Sequence, residues 1–305
     1  MVDPAVLVAV LIELVVGWPG WLYRRVGHPV GLFARIIKGA ERIGNRGPAA
    51  VRRMGGVATV ALLLIVAGGG GWMLQRVALV LPGSWLWVAA MTWPALAMRS
   101  LDDHARAVWR ALRMCDLGAA RRAVAMIVGR DTDDLQPDGV ARAAIESLAE
   151  SFCDGVLAPL FWLLVAGLPG VWAYKALNTA DSLIGHPEPE LRDFGWAAAR
   201  ADDLANWIPA RLAGVAICLV GGGWRIMWRD CRRHASPNAG WSEAAMAGAL
   251  GVRLAGPIRY DGVLREKAWI GQGPRARWAD LGRALTLYRR ACALVVLSVG
   301  ALWLL

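Results

Sequence analysis

An all-α, polytopic helical integral membrane protein with large cytoplasmic helical loops is the fold this sequence predicts, and three observations predict it. Of 305 residues, 57% are hydrophobic and the mean hydropathy is +0.41, which no ordinary soluble domain needs. Seventeen Trp against four Phe suit a chain with many membrane–water boundaries, where indole rings settle. Lys and Arg gather in particular loops: eight in 17–55, eight in 99–152 and 13 in 224–290, against three basic and six acidic residues in 174–206. The positive-inside rule then places the three basic loops in the cytoplasm and both termini outside. A net charge of +10 would also suit a nucleic-acid binder, but the hydropathy assigns it to loops, so no nucleic-acid partner is expected.

Apolar runs place the spans at 2–18, 56–81, 84–98 and 291–305. The first is short and carries Glu13, with Trp18, Trp21 and Tyr23 at its interfacial end. Pro82-Gly83 marks the turn between the second and third. Two further segments, 156–173 and 207–223, either cross, giving six spans, or dip and return, giving four. Neither a 20–50-residue repeat nor an inverted half is visible, which weighs against a transporter. Five scattered cysteines without a CxxC pair argue against a disulfide framework and a zinc site, and no cleavable signal is expected.

Residues 126–186 carry the densest chemistry. Arg142, Glu146, Glu150 and Asp154 recur every four residues, so a helix over 140–151 puts three carboxylates on one face, just before an apolar segment. Arg142 with Glu146 is explained by ordinary pairing; Glu150 and Asp154 have no cation on that face. Carboxylates at a membrane edge bind a metal, a proton or an amine, which makes Glu146, Glu150 and Asp154 catalytic candidates, with Glu150 and Asp154 also metal candidates. Upstream, Gly129-Arg130-Asp131-Thr132 is either a capping turn or a site where Arg130 grips phosphate and Asp131 holds Mg²⁺.

Lys175, Asn178, Asp181 and Ser182 form a polar stripe at helical spacing, suited to a phosphate or carboxylate. Asp202, Asp203, Asn206 and Arg211 repeat the arrangement; Asp202 and Asp203 suit a metal, Asn206 and Arg211 a substrate, although Arg200 and Arg211 could simply neutralise the pair. His28 lies near Arg24, Arg25 and Arg35, a cluster for phosphate, carboxylate or lipid headgroups. In 236–243, Ser236, Asn238 or Ser242 is read as a helix cap, and Tyr260-Asp261-Gly262 as a turn. A Walker loop, GxSxG and HExxH are absent.

Beyond these local readings, GRDT, AIESLAE, DGVLAPLFW and YKALNTADSLIGH resemble the motifs of the CobD/CbiB family of cobalamin biosynthesis, as do GHPVGLFARII (27–37), FGWAAARADDLANWIPARL (194–212) and SPNAGWSEAAMAGALGVRL (236–254). The resemblance spans nearly the whole chain and is far more specific than one short motif. Where the family carries Gly-Asp-Pro after its first acidic residue, this chain has Gly17-Trp18-Pro19, without the second acid. The resemblance implies a membrane-bound adenosylcobinamide-phosphate synthase. Such an enzyme joins a propionate carboxylate of adenosylcobyric acid, a corrinoid, to (R)-1-amino-2-propanol or its O-phosphate. ATP and Mg²⁺ are expected to drive it through an acyl phosphate, because a carboxylate is a poor acyl donor. Glu146, Glu150 and Asp154 would then meet metal or amine, and Arg130, Lys175 and Arg211 phosphate. The competing classes are a non-enzymatic AmpE-like membrane regulator and a corrinoid carrier; a regulator needs no such acid–base cluster. An inner-membrane, multi-pass location in a lipid bilayer is expected, and nothing in the sequence marks an oligomeric state.

A full crossing by 156–173 would carry Lys175 about 25 Å from the GRDT loop at 1.5 Å per residue. One site built from both groups therefore requires that segment to break, with Pro159, Pro169 and Gly170 as the breakers, and 174–206 to return to the cytoplasm.

Overall fold

A computed structural model describes residues 4–186, 188–260 and 263–304. In chain order its helices are α1 (Pro4–Val16), α2 (Gly20–Val26), α3 (Pro29–Gly44), α4 (Ala49–Val80), α5 (Ser84–Thr92), α6 (Met98–Arg113), α7 (Leu117–Ala125), α8 (Pro137–Phe152), α9 (Ala158–Ile184), α10 (Trp196–Ala205), α11 (Trp207–Gly221), α12 (Trp224–Asp230), α13 (Ala239–Leu250) and α14 (Trp278–Leu304). Between α13 and α14 run four three-residue strands, β1 (Arg253–Ala255), β2 (Ile258–Tyr260), β3 (Val263–Arg265) and β4 (Trp269–Gly271). The fold is thus the expected helical one with a small β insert that the sequence reading lacks; Asp261 and Gly262 of the expected turn lie outside the described residues.

Among the described residues three helical runs are long and apolar enough to cross a membrane: Ala49–Val80, Pro137–Ile184 and Trp278–Leu304. Two further pairs joined by short bends would raise the number to five. The chain divides into two compact units, one of residues 1–97, 158–206 and 299–305, the other of 98–157 and 207–298.

The first unit is organised on α4, which presents Leu62, Ile65, Trp72 and Val80 outward, the face a lipid-exposed helix shows. Expected span 2–18 is here a 13-residue helix that turns through 105° into α2, with Gly17 at φ 60° in the corner. Expected span 84–98 is a nine-residue helix, about 14 Å long at 1.5 Å per residue, closed by a 3-10 turn over Trp93–Ala95. Pro94 halts it by removing an N–H donor, and the Trp93 indole donates to Gly17 O at 2.9 Å, tying α5 to the end of α1.

Helix α9 breaks, but not at the prolines. Ala166 and Gly167 leave helical geometry, Gly167 at φ 63°, ψ −152°, a region open essentially to Gly alone. Pro169 instead falls in the first turn after the break, where a missing N–H costs nothing. The exposed Leu168 N–H is taken by Gln75 Oε1 of α4 at 2.9 Å, so a polar side chain within an apolar helix satisfies the broken backbone. Gly71 admits that approach, since a Cβ there would lie 2.6 Å from Leu168 O. Gly167→Ala is expected to cost about 1–3 kcal/mol, from the forbidden φ and from a Cβ 2.3 Å from Gln75 Oε1. Thermal unfolding in detergent reads this directly, and an unchanged midpoint would refute the break as a stabilised feature.

The second unit packs α8 and α11 against α13 and seats the strands on the α8–α13 side. Strands β1 and β4 pair antiparallel (Leu254 with Ile270), as do β2 and β3 (Arg259 with Leu264). Asp230, fully buried, holds β4: it accepts the Gly271 N–H at 2.8 Å and faces Arg229 and Arg233 at 2.5 and 3.3 Å. Hydrogen bonding from Arg229 keeps its carboxyl below the usual carboxylate range.

Candidate active site

Helix α8 begins with Pro137 at its first position and is Ala-rich, so it forms readily and packs closely. Arg142, Glu146 and Glu150 do share one face of it. A π-turn over Cys153–Leu157 then widens the helix, so the four-residue spacing no longer keeps Asp154 in line. Glu146, Ser147 and Glu150 line a polar cavity of about 210 Å³; Asp154 does not. The cavity is completed by the loop Ile127–Arg130, by His234, by Glu243 of α13 and by Lys267 between β3 and β4. All of these belong to the second unit.

Glu146 has both oxygens engaged. Oε2 accepts from the Arg130 guanidinium; Oε1 accepts the Ala255 N–H at 2.6 Å and faces Arg142 Nε at 3.7 Å. Ala255 stands at φ 56°, unusual for a residue with a Cβ, and at this twisted last residue of β1 the N–H meets the carboxylate. Arg142 also donates to Pro257 O at 3.2 Å and stacks on Trp269 at 5.2 Å, joining α8 to β4 and to the link between β1 and β2. The loop is fastened by Ser147 Oγ, which donates to Ile127 O at 2.6 Å. Glu146 therefore orients Arg130, while Glu150 is the solvent-accessible carboxylate of the lining.

Opposite them, Glu243 is 4% exposed. His234 Nδ1 accepts the Ser236 N–H at 3.0 Å, which assigns the ring proton to Nε2, 3.5 Å from Glu243 Oε1. Burial pushes His234 below its ordinary range, with the Lys267 charge adding to it, so the ring is neutral. Burial, then the like charges of Glu146 and Glu150, push the Glu243 carboxyl well above the usual range. Sequence reasoning passed over His234, Glu243 and Lys267. Glu243 was hidden because its segment reads as a helix start; in the structure Ser236 Oγ caps α13, accepting the Asn238 and Ala239 N–H groups at 3.2 and 3.3 Å, and Ser242 lies inside the helix.

The remaining candidates lie elsewhere. Asp131 is exposed, its N–H donating to Arg259 O at 3.2 Å. In the first unit, His28 caps α3 by accepting the Val30 N–H at 3.3 Å and packs edge-on against Trp18. Burial and the Lys175 charge lower it to about 4, so it presents no cation at neutral pH. Lys175, Asn178, Asp181 and Ser182 follow one another along α9 of that unit; the Ser182 hydroxyl donates to Asn178 O at 2.8 Å. Asn206 bridges Asp202 (2.9 Å) and the Tyr174 hydroxyl (3.1 Å), and Asp203 pairs with Arg200 at 3.1 Å. In the second unit Arg211 donates to Trp207 O and lies over Trp207 and Trp241 at 4.2 and 5.0 Å. Among the described residues no three His, Cys, Asp or Glu side chains form a metal-binding group.

The family model described as CobD/Cbib protein matches residues 6–288. Curated relatives named "Cobalamin biosynthesis protein CobD" include one from Rhodobacter capsulatus, 49% identical over 308 residues and covering 97% of each chain. Another, from Sinorhizobium fredii, is 44% identical over 313 residues, covering 97% of this chain and 95% of its own. A third, from Brucella suis biovar 1, is 44% identical over 297 residues, covering 92% and 90%. No solved structure shows a significant match.

Proposed function

The chain belongs to the CobD/CbiB family, and from that premise we propose that it acts in cobalamin biosynthesis as an acid–amine ligase. The reaction is the ATP-dependent joining of a propionate carboxylate of adenosylcobyric acid to (R)-1-amino-2-propanol or its O-phosphate. One observation carries the reading: GRDT (129–132) and AIESLAE (144–150) meet the distant SEAAMAGAL (242–250) at one cavity holding cations and carboxylates together. Amide formation from a carboxylate needs both, cations for the phosphoryl group and a carboxylate for the amine.

Drug-sized ligands fill roughly 300–1,000 Å³. A cavity of about 210 Å³ therefore suits the reacting groups, an amine and a phosphoryl or acyl phosphate, with the corrin body outside. Arg130, held in orientation by Glu146, and Lys267 neutralise the phosphoryl oxygens. Glu150 positions the ammonium and takes the proton released from nitrogen. Mg²⁺ commonly keeps several waters and binds through nucleotide phosphates, so an ion arriving with ATP would supply further charge neutralisation from the phosphate side, with Glu150 left to the amine.

Purified protein in detergent, given adenosylcobyric acid, ATP, Mg²⁺ and either amine, is expected to form the adenosylcobinamide product, and to stop when ATP is omitted. Absence of a corrinoid product with both amines would sink the assignment. The protein is further proposed to be a multi-pass inner-membrane protein with 99–152 facing the cytoplasm. Cys115 is the exposed cysteine of the five, the others being buried. An impermeant thiol reagent should leave it unlabelled in sealed cells and label it once they are permeabilised, with Cys115→Ser as control; labelling of sealed cells would reverse the topology.

A further inference from the structure

Glu243 is a buried carboxyl of the cavity to which the proposed reaction gives no task. Its Oε1 faces the Nε2–H of His234 at 3.5 Å, whereas Oε2 is buried and has no hydrogen-bond partner among the described residues. His234 cannot readily take a proton from it: Nδ1 already accepts the Ser236 N–H, and Nε2 already carries hydrogen. The charged groups that bear on Glu243 are Glu146 and Glu150 from α8, Arg130 from the preceding loop and Lys267 from the strand insert. The two carboxylates and the burial outweigh the two cations. An ionised Glu243 would leave a buried anionic oxygen without a donor, which is costly. A neutral acid faces the His234 N–H with Oε1 and keeps its proton on Oε2, in the cavity wall to which Glu243 belongs.

We propose that Glu243 is a catalytic hydrogen-bond donor, a neutral carboxylic acid whose Oε2 hydroxyl serves the acyl oxygen that becomes negative when the amine attacks. The inference rests on the amide-forming reading above. In the step it serves, the amine lone pair forms the C–N bond and the carbonyl π pair moves onto oxygen, which accepts from Glu243. When that pair returns, the C–O bond to the phosphoryl group breaks and inorganic phosphate leaves with the second nitrogen proton, Glu150 having taken the first when the ammonium became the attacking amine. The Glu243 proton stays on Glu243 throughout. A carboxyl kept neutral by its surroundings so that it can donate is a known device for oxyanions.

Two variants and one spectrum test this. Glu243→Gln keeps a neutral donor and is expected to retain most of the turnover; Glu243→Ala is expected to lose kcat by about 10²–10³-fold, the loss typical of one oxyanion donor. The donor exists only below the raised pKa of Glu243, so wild-type kcat should fall as pH rises through it, and Glu243→Gln should lack that limb. Independently of activity, infrared spectroscopy at neutral pH should show a protonated-carboxyl C=O band that Glu243→Gln removes. A folded but inactive Glu243→Gln overturns the idea, because it makes Glu243 a base. A Glu243→Ala effect confined to KM for the phosphorylated amine also overturns it, by moving the donor to a ground-state phosphate. A wild-type protein that forms amide but lacks the band at neutral pH sinks the donor alone. A wild-type protein that shows the band yet makes no amide sinks the parent reaction, and the acyl-oxygen role with it.

Discussion

Glu150→Gln is expected to insert and accumulate normally while losing amide formation by about 10²–10⁴-fold, the range for removal of a positioned acid–base group. The substitution keeps length, helix propensity and hydrogen-bonding capacity and removes only the charge. Glu150 is an exposed residue of the lining, one turn beyond the buried Glu146 on α8. The effect should fall on kcat, since the missing group handles a proton. Single-turnover measurements with saturating ATP and amine isolate that step. Near-normal turnover by purified Glu150→Gln would remove this carboxylate from the chemistry.

Glu146→Ala has the opposite signature, a loss of the folded state. Its carboxylate joins Arg130, Arg142 and the Ala255 N–H, and its side chain is 9% exposed. Removing one partner of a buried ion pair typically costs about 3–5 kcal/mol, because the guanidinium left behind is buried without compensation. Ala255 would also hold its left-handed conformation with no acceptor to reward it. Glu146→Gln, which still accepts the Ala255 N–H, should fall between wild type and Glu146→Ala. Thermal unfolding in detergent should rank the three in that order; equal midpoints would show that the cluster contributes nothing to stability.

Much of this was legible in advance where the information is local. The α8 register was, because Ala-rich composition and a four-residue repeat specify a helix face without help from the rest of the chain. So was α4, whose apolar length alone suffices. The break in α9 was anticipated from Pro and Gly but misplaced. Proline marks where a helix cannot pass, whereas the actual break at Gly167 depends on Gln75 reaching Leu168 N–H from another helix. Asp154 followed the same logic: its spacing matched the row, and a π-turn took it out of line.

By itself, then, the sequence determined the helical membrane class, the family and two of the cavity's carboxylates, because hydropathy, charge asymmetry and helical period are properties of contiguous residues. Only the tertiary structure decided which charges face one another. It brought His234, Glu243 and Lys267 to α8 from more than 80 residues away, turned Ala255 N–H onto Glu146, and left Glu150 accessible while burying Glu243. Pairing and burial set the protonation and task of a carboxylate, and both arise from contacts between distant segments that no local pattern encodes.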